Sequence, residues 1–299
     1  MAPIEVKNIS KSYGSVEALR DVSFSVRDGE LFGLIGPDGA GKSTLFRILT
    51  TLVDADCGSA CVDGYDVRAD YRAVRGCVGY MPGRFSLYQD LSVSENLSFF
   101  ASLFGTTVEA NYDLIAPIYR QIEHFAHRMA GKLSGGMKQK LALCCALIHK
   151  PVVLLLDEPT TGVDAVSRSE FWDMLDGLRR QGITIMVSTP YMDEALRCDR
   201  IALINQGRIL AVDTPAAIAS GMTDRLLALH GTPAYRLLTA ARQARGVLSC
   251  YAFGETHHLR VNSDFSEDEF VKHVTGMGCA NITLNPIEPT IEDAFIALT

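Results

Sequence analysis

The sequence lacks long apolar runs. None of its 299 residues belongs to a stretch that approaches the ~18 consecutive apolar residues that a membrane-spanning helix needs. Residues 1–14, "MAPIEVKNISKSYG", also lack the apolar core of a secretory signal peptide. We therefore expect a cytoplasmic chain, for which any role at a membrane requires a separate partner protein.

A basic surface is absent as well. The chain has 28 Lys and Arg residues against 35 Asp and Glu residues, which gives a formal net charge of -7. Proteins that wrap nucleic acid rely on clustered Lys and Arg side chains that neutralise phosphates. Nucleic acid is therefore not an expected partner.

The eight cysteines do not have the spacing of metal ligands. Cys144 and Cys145 are adjacent within an apolar stretch, which indicates core packing, and no histidine lies at ligand spacing from Cys57 and Cys61. Low-complexity tracts and internal repeats are also missing. We expect reduced thiols and no metal site built on cysteine or histidine.

Short apolar runs indicate the fold class. Residues 31–36, "LFGLIG", and 151–159, "PVVLLLDEP", are typical of strands that are buried on both faces of a parallel sheet. Residues 1–30 alternate between apolar and polar side chains, as in antiparallel strands, and residues of about 84–145 show helical patterning. Residues 1–215 are thus predicted to form an α/β domain with a parallel-sheet core, an antiparallel β layer and a helical subdomain.

The pattern changes after Pro215. Residues 216–299 have the order strand, helix, strand, strand, helix, strand, followed by a last helix. This order predicts a small α+β domain with an accessory or regulatory role. Its adjacent His257 and His258 are expected on the surface of a strand rather than at a metal.

A glycine-rich segment provides the clearest chemical signal. Residues 36–43, "GPDGAGKS", fit the pattern G-x-x-x-x-G-K-[ST] between an apolar strand and a helical run. Glycines let the backbone curl so that its N–H groups face phosphate oxygens, and the N-terminus of the following helix adds positive potential. Lys42 can bridge the β- and γ-phosphates, and the Ser43 hydroxyl can bind Mg²⁺. The residues predicted to surround the phosphates are Gly36, Pro37, Asp38, Gly39, Ala40, Gly41, Lys42, Ser43 and Thr44.

Two further segments carry acidic or anion-binding groups. The apolar run that ends at residue 157 places Asp157 where it can hold Mg²⁺ and Glu158 where it can act as a general base. Ser134, Gly135 and Gly136 open a predicted helix, and their N–H groups form a second anion site. A single nucleotide does not need two such sites in one chain.

In this order, the segments "GPDGAGKST", "LSGGMKQK", "LLLDEP" and "TTGVD" resemble those of ABC transporter ATP-binding subunits over about residues 3–215. The resemblance implies a P-loop ABC ATPase fold that uses ATP and Mg²⁺. It also implies head-to-tail pairing with a second nucleotide-binding domain, so that Ser134 of one chain closes on ATP held by the other. By the same resemblance, Tyr13 would stack on adenine, with an ordinary strand aromatic as the alternative, and Asp164 would lie near the dimer interface.

Two positions depart from the family pattern. Pro190 replaces the histidine that the family places near the γ-phosphate, and Gly83 replaces a glutamine that contacts Mg²⁺. Three interpretations are open. The chain could hydrolyse ATP slowly with Glu158, alone or helped by Tyr191 or Gln89, or it could pair with an ordinary domain so that the site with its own glycine-rich loop is weak and the site that uses its Ser134 is complete. In the third interpretation, the chain binds ATP without useful turnover. We favour hydrolysis. Arg168, Arg179 and Arg180 are expected to be solvated helix charges.

The resemblance also implies a biological setting. The segments "YMPGRFSLYQDLSV" and "PIEPTIEDAFIALT" are similar to those of ABC-2 type exporters of drugs and antibiotics, which favours export over import. The chain would sit on the cytoplasmic face of the cell membrane and power a separate integral permease, which would dock near Phe85, Leu87 and Tyr88. The alternatives are a soluble ABC ATPase that acts on ribosomes or DNA, and an ATP-binding subunit with little or no hydrolysis.

Overall fold

The computed structural model describes residues 2–299. It contains one compact unit that ends at Pro215 and a second unit, Ala216–Thr299. Among the described residues, no helix combines the length and the apolar character that crossing a lipid bilayer requires.

The first unit contains ten strands in two sheets. The six-stranded sheet has the order β10-β9-β3-β8-β7-β6, and the four-stranded sheet has the order β2-β1-β4-β5. The strands are β1 (Ile4–Tyr13), β2 (Val16–Val26), β3 (Leu31–Ile35), β4 (Cys57–Val62), β5 (Tyr65–Asp66), β6 (Val78–Met81), β7 (Val153–Asp157), β8 (Thr184–Thr189), β9 (Arg200–Asn205) and β10 (Arg208–Asp213).

Seven α-helices lie within residues 42–220. They are α1 (Lys42–Leu49), α2 (Tyr71–Cys77), α3 (Val93–Leu103), α4 (Tyr112–Tyr119), α5 (Gly135–Leu147), α6 (Ala165–Arg180) and α7 (Pro215–Ser220). The helix α3 begins with a capping box, in which the Ser92 hydroxyl accepts from the Glu95 N–H at 3.2 Å and the Glu95 carboxylate accepts from the Ser92 N–H at 2.7 Å. This reciprocal bonding satisfies two N–H groups that the helix itself leaves unpaired.

The six-stranded sheet has a parallel centre. The strand β3 pairs in parallel with β8 on one side and with β9 on the other, and β7 pairs in parallel with β8. All five residues of β3 and all five of β7 are buried, because helices or the second sheet cover both faces. Cys144 and Cys145 of α5 are also buried, and this burial raises the pKa of both thiols. The predicted α/β architecture with an antiparallel layer is confirmed.

The second unit is a four-stranded antiparallel sheet of order β12-β13-β11-β14, with helices packed on it. Its elements are β11 (Arg225–Thr232), α8 (Ala234–Ala241), β12 (Val247–Phe253), β13 (Thr256–Val261), α9 (Glu267–Gly276), β14 (Ala280–Pro286) and α10 (Ile291–Leu298). Their order is the one that the sequence pattern predicts.

The expectation that His257 and His258 lie on the surface of a strand is wrong. Both side chains are buried. The Nε2 atom of His257 is 3.1 Å from the Ala234 carbonyl oxygen at the start of α8, and the Nδ1 atom of His258 is 2.7 Å from the Asp293 carboxylate in α10. Adjacent strand residues point to opposite faces, and here a helix covers each face.

Candidate active site

The predicted motifs meet at one edge of the six-stranded sheet. Parallel strands place their carboxyl ends together, and β3, β7 and β8 end side by side. The Gly36 N–H donates to the Thr189 carbonyl at 3.2 Å, and the Glu158 N–H donates to the Ser188 carbonyl at 3.1 Å. These bonds join the glycine-rich loop, the acidic pair and the segment before Pro190.

The glycine-rich loop has the backbone that its sequence predicts. Gly39 and Gly41 have φ angles of +79° and +106°, in the left-handed region that favours glycine. A Cβ atom on Gly36 would lie 2.1 Å from the carbonyl oxygen of Ile204, so no larger residue fits there without moving the main chain. The backbone conformation therefore favours glycine at positions 39 and 41, and the nearby main chain of Ile204 requires it at position 36.

The loop presents unpaired donors. Among residues 2–299, no acceptor is bonded to the main-chain N–H groups of Gly39, Gly41, Lys42, Ser43 and Thr44. The last three lie in the first turn of α1, where a helix leaves its N–H groups without internal partners. A ring of free amides at a helix N-terminus fits the phosphate chain of a nucleotide.

Lys42 is buried at the base of this loop. Its ammonium group donates to the carbonyl oxygens of Gly36 at 2.8 Å and Pro37 at 3.0 Å. It also lies 3.1 Å from the Glu158 carboxylate. The lysine therefore contacts both the loop and the acidic segment, and it can move to a phosphate only by leaving some of these partners.

The donor set fits Mg²⁺. Ser43 supplies a hydroxyl and Asp157 a carboxylate, and oxygen ligands of this kind suit that ion. One carboxylate oxygen of Asp157, Oδ1, accepts a hydrogen bond from Ser188 at 2.6 Å. Within the described residues, the other oxygen, Oδ2, has no hydrogen-bond partner, so it is available to a cation. Residues 2–299 include no cluster of three or more His, Cys, Asp or Glu side chains that could hold a metal ion.

The loop borders a groove of about 330 Å³. The residues that line it include Val16, Gly39, Lys42, Thr44 and Glu158. Tyr13 is exposed at the end of β1, with the Lys11 ammonium 5.6 Å from its ring centroid, but it does not line this groove. Its contact with adenine therefore stays a prediction, and Val16, which is 64% exposed, is an apolar surface that does line the groove.

The residues of the predicted second anion site lie away from this groove. Ser134 caps α5, and its hydroxyl accepts from the Met137 N–H at 3.3 Å, while Gly135 is exposed. None of the residues from Ser134 to Gly136 lines the groove of the glycine-rich loop. A Cβ atom on Gly136 would lie 2.8 Å from the Ser167 hydroxyl, which places this turn against the start of α6.

Asp164 caps α6 beside that turn. Its carboxylate accepts from the Ser167 N–H at 3.0 Å, and this hydrogen bond lowers the pKa of the exposed side chain. The turn of residues 134–136 and Asp164 thus form one exposed surface, separate from the groove that the glycine-rich loop borders.

Comparison with known proteins decides the family. A model of the ABC transporter family matches residues 19–161. The Nod factor export ATP-binding protein I of Burkholderia lata is 35% identical over 308 residues, which cover 100% of this chain and 97% of that protein. The chain belongs to the ABC transporter ATP-binding proteins. The general activity of this family is ATP hydrolysis coupled to transport.

Other relatives extend the comparison. The probable multidrug ABC transporter ATP-binding protein YbhF of Escherichia coli K12 is 39% identical over 303 residues. That alignment covers 99% of this chain but 52% of YbhF, so the chain spans about half the length of that relative.

Solved structures agree on the fold of the cassette. A structure described as the ATP-binding subunit of an ABC transporter has a TM-score of 0.66 and 30% identity, covering 73% of this chain and 92% of that one. A dimeric ATP-binding cassette in a post-hydrolysis state, bound to ADP and Pi, has a TM-score of 0.65 and 25% identity, covering 71% and 98%. The predicted P-loop ABC ATPase fold is confirmed.

This ABC transporter subunit has glycine and proline at the two departing positions. A Cβ atom on Gly83 would lie 3.0 Å from the Asp157 carbonyl oxygen, so Gly83 is next to the acidic segment. Pro190 directly follows Thr189, which bonds to the glycine-rich loop. Both positions therefore adjoin the candidate site, and neither has a side chain that can donate a hydrogen bond.

The two suggested helpers do not enter the groove. The ring of Tyr191 lies under the Arg168 guanidinium, which is 4.7 Å from its centroid. Arg168 is thus only partly exposed, and the expectation of a solvated charge is wrong, because the turn after β8 packs against α6. Gln89 lies against Gly131, whose N–H bonds to the Gln89 carbonyl at 2.9 Å. Neither Tyr191 nor Gln89 lines the groove.

Buried polar residues near the site escaped the sequence analysis. Glu194 accepts hydrogen bonds from the Thr160 and Thr189 hydroxyls at 3.1 Å and 2.6 Å, and Ser188 bonds to Asp157. Their one local signal was the pair Ser188-Thr189 at the end of an otherwise apolar strand. Such a pair does not by itself indicate a buried hydrogen-bond network, because the partner residues are ~30 positions away in sequence.

Proposed function

We propose that this chain binds and hydrolyses ATP and thereby powers export through a separate membrane permease. One observation carries the proposal: five unpaired main-chain N–H groups lie within residues 39–44, and the Lys42 side chain of the same loop contacts the carboxylate of Glu158. The names of two relatives refer to multidrug transport and Nod factor export, which favours export as the direction.

Each residue of the site has a role in this proposal. The unpaired amides of Gly39 and of Gly41 to Thr44 hold the phosphate chain, and Lys42 moves from Glu158 towards the β- and γ-phosphates. Ser43 and Asp157 hold Mg²⁺, which neutralises part of the phosphate charge when it is bound. Glu158 accepts a proton from water as the water oxygen bonds to the γ-phosphorus and the bond to the ADP oxygen breaks.

Closure requires a second nucleotide-binding domain. Ser134, Gly135, Gly136 and Asp164 lie outside the groove that their own glycine-rich loop borders, and the N–H groups of both glycines have no acceptor within residues 2–299. Head-to-tail pairing brings this surface to the nucleotide of a second copy or a sibling chain. A dimeric cassette among the similar solved structures supports this arrangement.

A second groove suits a permease. It measures about 770 Å³ and is lined by apolar and aromatic residues, including Phe85, Leu87, Phe100 and Phe104. It also reaches Gly83 and Glu158, so a helix docked there would touch the acidic segment. We propose that the permease binds here, at the cytoplasmic face of the membrane, and that residues 216–299 have an accessory or regulatory role.

The second candidate is ATP binding with little turnover. Gly83 and Pro190 favour it, because both lack a group that can stabilise the γ-phosphate. The loss of one such contact costs about 2–4 kcal/mol in a transition state, which slows a reaction without abolishing it. Hydrolysis therefore remains the favoured proposal.

The test uses purified chain, ATP and Mg²⁺. We expect phosphate release that Lys42→Ala abolishes and that Lys272→Ala, the same change in the second unit, leaves intact. Co-purification with a membrane protein of the same cell would support the permease, whereas co-purification with ribosomes would favour the soluble alternative. Tight ATP binding without phosphate release, with the permease present, would select the second candidate.

A further inference from the structure

Ser188 is a buried hydroxyl that touches both acidic residues of the site. It lies in β8 with no exposed surface. Its hydroxyl donates to Asp157 Oδ1 at 2.6 Å and accepts from the Glu158 N–H at 3.0 Å. One oxygen atom therefore links the side chain of the first acidic residue to the main chain of the second.

The Asp157 carboxylate depends on this bond. Its Oδ1 is held by Ser188, and within residues 2–299 no other side chain donates to either of its oxygens. A carboxylate fixed at one oxygen presents the other in a defined direction. Groups that orient a metal ligand in this way raise the affinity for the metal.

The Glu158 backbone needs the same support. Its φ angle is +49°, in the left-handed region that residues other than glycine adopt rarely. The Glu158 N–H is bonded twice to Ser188, to its hydroxyl at 3.0 Å and to its carbonyl oxygen at 3.1 Å. These two bonds hold the backbone that aims the Glu158 side chain towards Lys42.

The neighbouring residues of β8 cannot replace Ser188. The Thr189 hydroxyl donates to Glu194, on the other side of the turn. Pro190 has neither a side-chain donor nor an N–H group. Ser188 is thus the hydroxyl of this segment that faces the acidic pair.

We propose that Ser188 is a positioning residue, which orients Asp157 for Mg²⁺ and Glu158 for the attacking water. The inference rests on the proposed function, because it concerns the same ATP site. It adds a residue that acts through others and does not touch the nucleotide.

The experiment measures binding separately from turnover. The probe is a fluorescent N-methylanthraniloyl ATP, titrated with excess Mg²⁺ and again with a chelator. In Ser188→Ala we expect the Mg²⁺-dependent gain in affinity to fall about 10- to 100-fold. Affinity without Mg²⁺ should stay within about twofold, because the amides and Lys42 are unchanged. The turnover number should fall more than the KM changes.

Two further variants make the test specific. Ser188→Thr keeps a hydroxyl at the same carbon and should restore much of the Mg²⁺ effect. Thr184→Val removes another fully buried hydroxyl from β8, one that accepts from the Gly29 N–H at 3.0 Å, far along the strand from the acidic pair. This change should lower the melting temperature, because it leaves the Gly29 N–H without its acceptor, but it should leave the Mg²⁺ effect intact.

The outcomes are distinct. An unchanged Mg²⁺ effect in Ser188→Ala, or an equal loss in Thr184→Val, overturns the positioning role. So does an equal loss of affinity with and without Mg²⁺, which would mark a general structural defect. Failure of the unsubstituted chain to bind the probe at all would instead overturn the proposed function.

Discussion

The contact between Lys42 and Glu158 leads to a quantitative prediction for Glu158→Gln. In the structure the two charged groups are 3.1 Å apart, and 3% of the lysine side chain and 22% of the glutamate side chain are exposed. At an effective dielectric constant of ~20, two unit charges at this distance attract by about 5 kcal/mol. Hydration of the separated groups returns most of this energy, which leaves a net value of about 1 kcal/mol for a partly exposed pair.

Two effects should follow from the substitution. Turnover should fall about 10²- to 10⁴-fold, because glutamine cannot accept the proton of the attacking water. ATP binding should tighten about fivefold, because Lys42 no longer has to leave a charged partner; this factor corresponds to the net ~1 kcal/mol. The substitution therefore separates binding from catalysis.

The assay combines equilibrium binding of ATP with phosphate release. Glu267→Gln is the control, since Glu267 forms an ion pair with Arg225 in the second unit, where both side chains are about half exposed. It should change neither quantity. Undiminished turnover in Glu158→Gln would refute the role of general base, and unchanged affinity would refute the competition for Lys42.

Three further predictions follow from the structure. Gly36→Ala should abolish ATP binding and lower the melting temperature, because the added Cβ atom would lie 2.1 Å from a main-chain oxygen. Gly39 has open space around it but a φ of +79°, so Gly39→Ala should cost only about 1 kcal/mol in an unfolding titration. Pro190→His should raise turnover by restoring a phosphate contact; an unchanged rate would show that the turn holds the new side chain away from the nucleotide. Burial would raise the pKa of Asp293, but hydrogen bonds from a threonine, a tyrosine and a histidine outweigh this effect and lower the pKa. The contribution of Asp293 to stability is therefore complete above about pH 4 and is lost as the pH falls through the lowered pKa. Hydrogen exchange in residues 291–298 should show this loss, and Asp293→Asn should remove the pH dependence.

The glycine-rich loop illustrates what local sequence can predict. A left-handed turn, a free helix N-terminus and a lysine at fixed spacing are properties of adjacent residues, so residues 36–43 indicated the phosphate site before any contact was known. The same holds for β3 and β7, whose unbroken apolar runs required cover on both faces.

Contacts between distant segments could not be predicted in this way. Ser188 and Asp157 are 31 positions apart, and their hydrogen bond exists because β7 and β8 are neighbours in the sheet. His257 and His258 are adjacent polar residues of one strand, so at least one of them was expected at the surface, and the helices packed on the two faces of the sheet decide that both are buried.

The sequence by itself indicated the fold class and the residues of the glycine-rich loop, because short-range geometry and spacing encode them, and the resemblance of its motifs indicated the family. The tertiary structure decided which side chains hold Asp157 and Glu158, that Tyr191 packs under Arg168, and that the Ser134 turn lies outside its own groove. These properties depend on which strands and helices become neighbours, and that is set by burial over the whole chain rather than by any local pattern.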